Sequence, residues 1–331
     1  MTTPFAYRLF AALAGLVLGF SLVSAPSAAE LRIDSYRSLF KPGRDQSGRT
    51  RIAIREFRRN AATWYLLVDP MTLESAIAPE SAIDFSGAAP SQTFKDSPYV
   101  RALDRHTAPP FKLQNHGAVH ADIHVDGLFL TADMCPSRKP METGFFEAVA
   151  DLGSSNGRPV PIAIAMTGDW LRNHPAETGL LKQEIARGRL AVTWVNHSYT
   201  HHYDPKIPLE RNFLLAPGTD FEREVLDTEV LMLENGLVPS PFFRFPGLVA
   251  DGALMKKLRQ LSLIPVGSDA WLAKGETPKQ GSIILVHGNG NEPHGISRVL
   301  PLLRKSPGPK LLPLREAFAP HGAGGAGRAK E

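Results

Sequence analysis

The stretch Leu190-Ala191-Val192-Thr193-Trp194-Val195-Asn196-His197-Ser198-Tyr199-Thr200-His201-His202 decides how the chain is read. Its first six residues form an apolar run with the length of a buried strand. A polar segment rich in histidine follows at once. His197 and His201 stand four apart, and one helical turn after the strand would put both imidazoles on one face. Two neutral imidazoles aimed at one point are the usual beginning of a transition-metal site. A pair alone equally fits a polar surface loop, because a metal needs a third ligand. The rest of the chain has to supply it.

Outward from this stretch, apolar runs alternate with amphipathic segments. Residues 128–131 and 160–166 read as strands, and residues 179–187 as an amphipathic helix leading into the Trp194 strand. Beyond it, residues 221–237 carry Val225, Leu226, Val230, Leu231 and Leu233 at helical spacing. Acidic residues stand near the start of that segment, where the helix dipole favours them. Residues 242–245 are extended and stop at Pro246-Gly247. Residues 254–261 are helical, and residues 263–266 and 283–286 are strands. This alternation predicts a parallel sheet or barrel covered by helices over residues 119–318. Functional side chains of a barrel collect at the C-terminal ends of its strands. Asp133, His197, Arg244, Asp269 and His287 each fall at such an end. Five groups suited to acid–base and metal chemistry argue for one shared site.

Residues 30–118 read differently. Residues 51–57 and 63–68 are short strand-like runs, and the segment between Asp69 and Phe111 is rich in Pro, Ser, Ala and Gly. A small β-containing N-terminal region with long loops is expected, with no legible chemistry. Residues 1–29 have one charged side chain, Arg8, an apolar core from Leu9 to Val23, and Ser27-Ala28-Ala29 before Glu30. That is the layout of a cleaved secretory signal, and the apolar run is short for a membrane span. It predicts export to the periplasm or extracellular space, with no stable membrane insertion after cleavage. The tail, residues 319–331, is rich in Gly and Ala and expected to be disordered. A net charge of +4 in 331 residues, without basic and aromatic interleaving, argues against nucleic acid as a partner. The single cysteine, Cys135, excludes an internal disulfide framework.

The ordered motifs resemble a family. His197-Ser198-Tyr199-Thr200-His201 resembles the H-[S/T]-x-x-H motif of the polysaccharide deacetylases, carbohydrate esterase family four. Thr131-Ala132-Asp133-Met134-Cys135-Pro136-Ser137 resembles their T-F-D-D-G-P-S. Arg244-Phe245-Pro246-Gly247 resembles R-x-P-x-G, shortened by one. Ser268-Asp269-Ala270-Trp271 resembles the D-x-W element, and Ile284-Leu285-Val286-His287 the closing L-x-H. The likeness spans residues 119–318. It implies an irregular (β/α) barrel of about seven strands and a divalent metal, usually zinc, in a hydrolase removing N- or O-acetyl groups from a polysaccharide or oligosaccharide. It implies His197 and His201 as metal ligands, Asp133 as the base acting on water, and Arg244 as the cation keeping Asp133 ionised. His287 would protonate the leaving group. Trp271 and Leu285 would wall the acetyl pocket, with Asp269 and Pro246 also on the substrate side.

One departure matters. The second Asp of the family's first motif, its usual third ligand, is here Met134, and a thioether serves zinc poorly. Three outcomes are open. Asp133 binds the metal itself, Cys135 supplies a thiolate, or the site is metal-poor and the protein is a carbohydrate-binding relic. A relative hydrolysing a small amide is a further alternative. Asp169-Trp170, just past the 160–166 strand, equally reads as a groove lining or a surface loop, and His202, His120, His124 and Asp126 read as loop residues. Residues 288–291, with His294-Gly295, lack the phosphate-loop pattern and read as the loop after His287. Ser198 has no nucleophile elbow around it.

Overall fold

The run Leu190–Asn196 is a strand, flanked by the strands that the alternation predicts. The computed structural model describes residues 32–87, 94–153 and 157–319. The expected signal segment, and the expected tail from residue 320 onward, lie outside them. The chain begins with β1 (Ile33–Asp45), β2 (Thr50–Arg59), β3 (Ala62–Val68), β4 (Ser75–Pro79) and β5 (Ile83–Asp84). These pair antiparallel in the order β4-β3-β2-β1-β5. Helix α1 (Pro98–His106) follows, capped by the Ser97 hydroxyl on the Val100 amide and opened by proline.

The second half alternates as β6 (Phe129–Met134), α2 (Thr143–Asp151), β7 (Val160–Met166), α3 (Gly168–Asn173), α4 (Pro175–Ala186), β8 (Leu190–Asn196), α5 (Phe221–Glu234), β9 (Pro239–Phe243), α6 (Gly252–Gln260), β10 (Ile264–Pro265), β11 (Ala270–Trp271), β12 (Ile283–His287) and α7 (Pro293–Leu303). Its seven strands are parallel, in the order β10-β9-β8-β7-β6-β12-β11. The edges β10 and β11 do not pair with each other. The irregular stretch from Gln114 to His120 spans that side instead, through single bridges Gln114–Val249, Ala118–Val266 and His120–Ser282. The result is the expected irregular α/β barrel, preceded by a β-rich N-terminal region. No helix among the described residues is long and apolar enough to cross a membrane.

Strand alternation sorts the barrel side chains cleanly. Leu130, Ala132 and Met134 of β6, Ile162, Ile164 and Met166 of β7, and Ile284 and Val286 of β12 pack on one face. Phe145, Phe146 and Val149 of α2, Trp170 and Leu171 of α3, and Val299 of α7 cover them. Phe129, Ala163, Ala165, Val195 and Ile283 share the opposite face with Phe242, and there they join Ile52, Ile54, Leu66 and Val68 of the antiparallel sheet. The N-terminal sheet therefore shares a core with the barrel.

Three elements differ from the sequence expectation for physical reasons. β1 is largely exposed, so it lacks the apolar period that marks a strand. α1 hides in a segment rich in turn-forming residues. α7 contains Pro301, which reads as a helix breaker, yet the helix continues to Leu303.

Behind the barrel, Arg55 of β2 meets Glu229 of α5 with no solvent access to either side chain. Arg55 Nε and Nη2 donate to the two Glu229 oxygens at 2.6 and 3.0 Å, and Tyr36 Oη donates to Oε2 at 2.9 Å. Removing one member leaves the other charge buried and unpaired. Glu229→Ala should cost about 3–5 kcal/mol, read from urea unfolding of the full chain. A loss below about 1 kcal/mol, the range of exposed pairs, would mean that the pair does not hold α5 to the antiparallel sheet.

Candidate metal and acid–base site

The inward-facing positions at the C-terminal strand ends build the site. On β6 the inward series is Phe129, Thr131, Asp133, and the next inward residue is Cys135. Met134 points the other way. It is fully buried in the helix-side core, and a Cβ on Gly288 would meet its sulfur at 2.8 Å. Met134 is therefore no candidate ligand. Cys135, His197 and His201 instead bring their donor atoms within 4.8 Å of one another.

The histidine segment is not the helical turn that the spacing suggested. Ser198 and His201 adopt left-handed backbone conformations, φ 69° and 48°, and the segment is irregular. The rings still meet edge to face, with centroids 4.9 Å apart. Local hydrogen bonds hold this unusual backbone. The Ser198 amide donates to Asn196 Oδ1 at 3.0 Å, and the Tyr199 and Thr200 amides donate to Glu224 Oε2 at 2.8 and 2.9 Å. The Thr200 hydroxyl donates to Glu224 Oε1 at 2.7 Å. His197 Nδ1 lies 2.8 Å from the Arg244 carbonyl, so it carries the proton and leaves Nε2 free toward Cys135 Sγ, 3.5 Å away. A backbone carbonyl on the far ring nitrogen is the usual support of a metal-bound histidine.

Arg244 lies behind Asp133. Its guanidinium donates to Asp133 Oδ1 at 2.7 Å, to the Thr131 hydroxyl at 2.6 Å, and to the Gly267 and Val266 carbonyls at 2.9 and 3.3 Å. Burial alone would raise the pKa of Asp133. Arg244, followed by His197 and His287, outweighs it and holds the carboxyl below the usual carboxylate value. Burial likewise pushes the Cys135 thiol up, but His201, His287 and His197 bring it well below its ordinary value. These negative groups draw positive charge: His201 and His287 both rise above the ordinary histidine pKa against the opposing effect of burial. A thiolate beside two imidazoles, one already oriented through its second nitrogen, fits a zinc-type cation in both ligand number and chemistry.

His287 faces this cluster from β12. Its Nδ1 lies 2.8 Å from Glu292 Oε2, an ion-pair distance without hydrogen-bond alignment. Trp271 Nε1 donates to the same oxygen at 2.9 Å. The loop between them is clamped to Cys135, since Asn289 Nδ2 donates to the Cys135 carbonyl at 2.6 Å. A cleft of about 400 Å³ opens onto Asp133, Cys135, His197, His201 and His287. Trp271, Leu285, Glu292 and Asn291 form one side, and Tyr203, Phe213, Leu248 and Gln114 another.

The structure thus gathers Asp133, His197, His201, His287, Trp271 and Leu285 around one cleft, with Arg244 directly behind. Asp269 and Pro246 stand outside it. Asp269 Oδ2 lies 2.8 Å from His120 Nδ1, and its Oδ1 accepts from the Ile283 amide. Pro246 is buried, while the following Gly247 and Leu248 line the cleft. Sequence reasoning missed Glu292, whose only signal was its place in the loop after His287. It also missed Gln114, which the gap-spanning stretch carries into the cleft.

The family described as RP012 protein N-terminal domain matches residues 34–97, the stretch of the antiparallel sheet. Among solved structures, the fold resembles the Bc1960 peptidoglycan N-acetylglucosamine deacetylase at 17% identity, over 61% of this chain and 92% of that one, with a TM-score of 0.42. It also resembles a family 4 carbohydrate esterase from Bacillus anthracis, at 16% identity over 61% and 87% with a TM-score of 0.42. A third is BA3943, a family 4 pseudoenzyme from Bacillus anthracis, at 12% identity over 63% and 70% with a TM-score of 0.40.

Proposed function

We propose that the protein is an exported, metal-dependent hydrolase that removes acetyl groups from a polysaccharide, acting in the periplasm or outside the cell. One observation carries the reading: a three-donor cluster of Cys135, His197 and His201 shares a cleft with a buried carboxylate and an oriented imidazole. The order of the five motifs supports the substrate class, and residues 1–29 support export. Cys135, His197 and His201 would hold the cation. When bound, a divalent cation supplies Lewis acidity, polarising the acetyl carbonyl and making a water acidic enough to attack at neutral pH.

The protein's own groups do the remaining work. Asp133, kept ionised by Arg244, takes the proton from the attacking water. His287 gives a proton to the leaving sugar nitrogen or oxygen, so acetate and the free amine or hydroxyl are the products. Glu292 and Trp271 fix the His287 ring and keep its other nitrogen turned to the cleft. Leu285 and Trp271 wall a small apolar pocket that suits an acetyl methyl group. Tyr203, stacked on Phe213 with centroids 4.9 Å apart, gives an aromatic surface at the mouth, of the kind on which sugar rings pack.

Metal analysis of the purified protein is the first test. Near-stoichiometric zinc or another divalent metal is expected. It should be lost in His197→Ala/His201→Ala and in Cys135→Ala, and kept in Met134→Leu. No metal in the wild type, even after dialysis against zinc, would overturn the mechanism. Acetate release from N-acetylglucosamine oligomers tests the chemistry. Asp133→Asn should lower kcat about 10²–10⁴-fold, the range of a general base, while retaining its metal. Release from short amides but not from oligomers would overturn the polysaccharide assignment. Glu292→Gln should lower kcat with little change in KM, because the residue orients the acid and binds no substrate. An effect on KM alone would place it in substrate binding instead.

A further inference from the structure

The antiparallel sheet stands away from the cleft, yet a continuous polar chain runs from it to the histidine segment. Glu229 lies on α5 with no exposed surface, and both of its oxygens are held from the sheet by Arg55 and Tyr36. Arg55 is itself fixed, because Nη1 donates to the Ile54 and Leu261 carbonyls, each at 2.8 Å. On its other side, Glu229 Oε1 receives Asn196 Nδ2 at 3.5 Å, and the same amide nitrogen donates to the Val225 carbonyl at 2.9 Å. Asn196 Oδ1 then accepts the Ser198 amide, at the left-handed residue directly after His197.

The direction of this chain is chemically determined. An asparagine side chain can present either its oxygen or its NH2 group to a neighbour. A carboxylate and a carbonyl on one side admit only the NH2 group there. The oxygen must then face the Ser198 amide, as the turn requires. The Val225 carbonyl, one turn before Glu229 on α5, imposes that choice by itself, and Glu229 Oε1 adds a longer contact to the same NH2 group. The charge on Glu229, in turn, is tolerable in a dry core because Arg55 balances it.

We infer that the antiparallel sheet is a positioning part of the metal site: Arg55 and Tyr36 fix Glu229 and with it α5, and the Val225 carbonyl and Glu229 of that helix hold the Asn196 amide that sets the turn between His197 and His201. The metal part of this inference rests on the proposed function, whereas the turn itself is held by protein groups alone. Arg55 touches neither substrate nor cation and acts only through these intermediates.

The test uses the full chain carrying Arg55→Lys, which keeps the charge but loses the two-pronged grip on Glu229. Hydrogen exchange of the Ser198 amide is followed by NMR without metal, with β7 amides as internal reference. Zinc affinity is measured by competition with a chromophoric chelator. Exchange at Ser198 should quicken while β7 is unchanged, and zinc binding should weaken by about tenfold or more, as when an outer partner of a metal ligand is lost. Arg51→Lys, in the same sheet but paired with Asp45 and Asp69, should change neither. Unchanged exchange at Ser198 and unchanged zinc affinity in folded Arg55→Lys would overturn the inference. So would an equal effect of Arg51→Lys, which would mark general loosening of the sheet. If Arg55→Lys does not fold, Tyr36→Phe removes one bond to Glu229 and should shift both readouts in the same direction. No shift there would overturn the inference as well. A wild type that binds no zinc would refute the metal reading alone, and Ser198 exchange would then decide this inference by itself.

Discussion

A β-strand shows each of its faces only at every second residue, and the site depends on that constraint. On the inward face, β6 offers Asp133 and the chain then offers Cys135. From β8 comes His197, from the end of β9 comes Arg244, and from β12 comes His287. Shifting any of these by one position would send the group into the helix-side core. There it would meet Phe146, Met166 or Trp170 rather than the cleft. Met134 occupies such an outward position, and an apolar side chain is what that position demands. A carboxylate there would be buried without a partner, at a cost of several kcal/mol.

Gathering two acids and three imidazoles under cover raises a second constraint, the balance of charge. Asp133 and Cys135 both favour their anionic forms, and neither side chain has appreciable solvent contact. Arg244 neutralises the first through a hydrogen bond from Nη1, the nitrogen that also donates to the Thr131 hydroxyl. Beside the second, the same negative charge draws the His201 and His287 imidazoles above the ordinary histidine pKa, against the opposing effect of burial.

The parts of this picture legible in the sequence are those with a short-range signal. Buried parallel strands announce themselves as apolar runs, which is why β7 and β8 were readable almost to the residue. Histidines four apart flag a metal, and ordered polar residues at strand ends flag the acid and base. What escaped depends on distances along the chain that spacing cannot convey. Glu292 reaches His287 only because the intervening loop folds back, and Asn289 ties that loop to Cys135. Gln114 enters the cleft because the sheet leaves a gap that an irregular segment fills. Asp269 looked like a substrate contact by its neighbour Trp271, yet it turns to His120. The helical turn expected between His197 and His201 gave way to an irregular segment with two left-handed residues, since Asn196 and Glu224 capture the loop amides that a helix would have used.

Where β6 stops decides which of its neighbours can face the cleft beside Asp133. The strand pairs with β7 through Met134 opposite Met166, so the extended backbone continues one residue past Asp133. Extended backbone cannot aim adjacent residues at one point. Two neighbouring aspartates could both face the cleft only if the strand ended at the first of them. Here the ladder persists, and the nearest residue able to join Asp133 is two positions on. A short side chain with a strong anionic donor is needed there, because Cys135 sits close under His197. Thiolate meets that need and binds zinc at least as well as carboxylate does. As the chain has no second cysteine, this sulfur also cannot be withdrawn into an internal disulfide. Under the proposed function, Cys135 is therefore the residue from which this strand can offer a third donor beside His197 and His201.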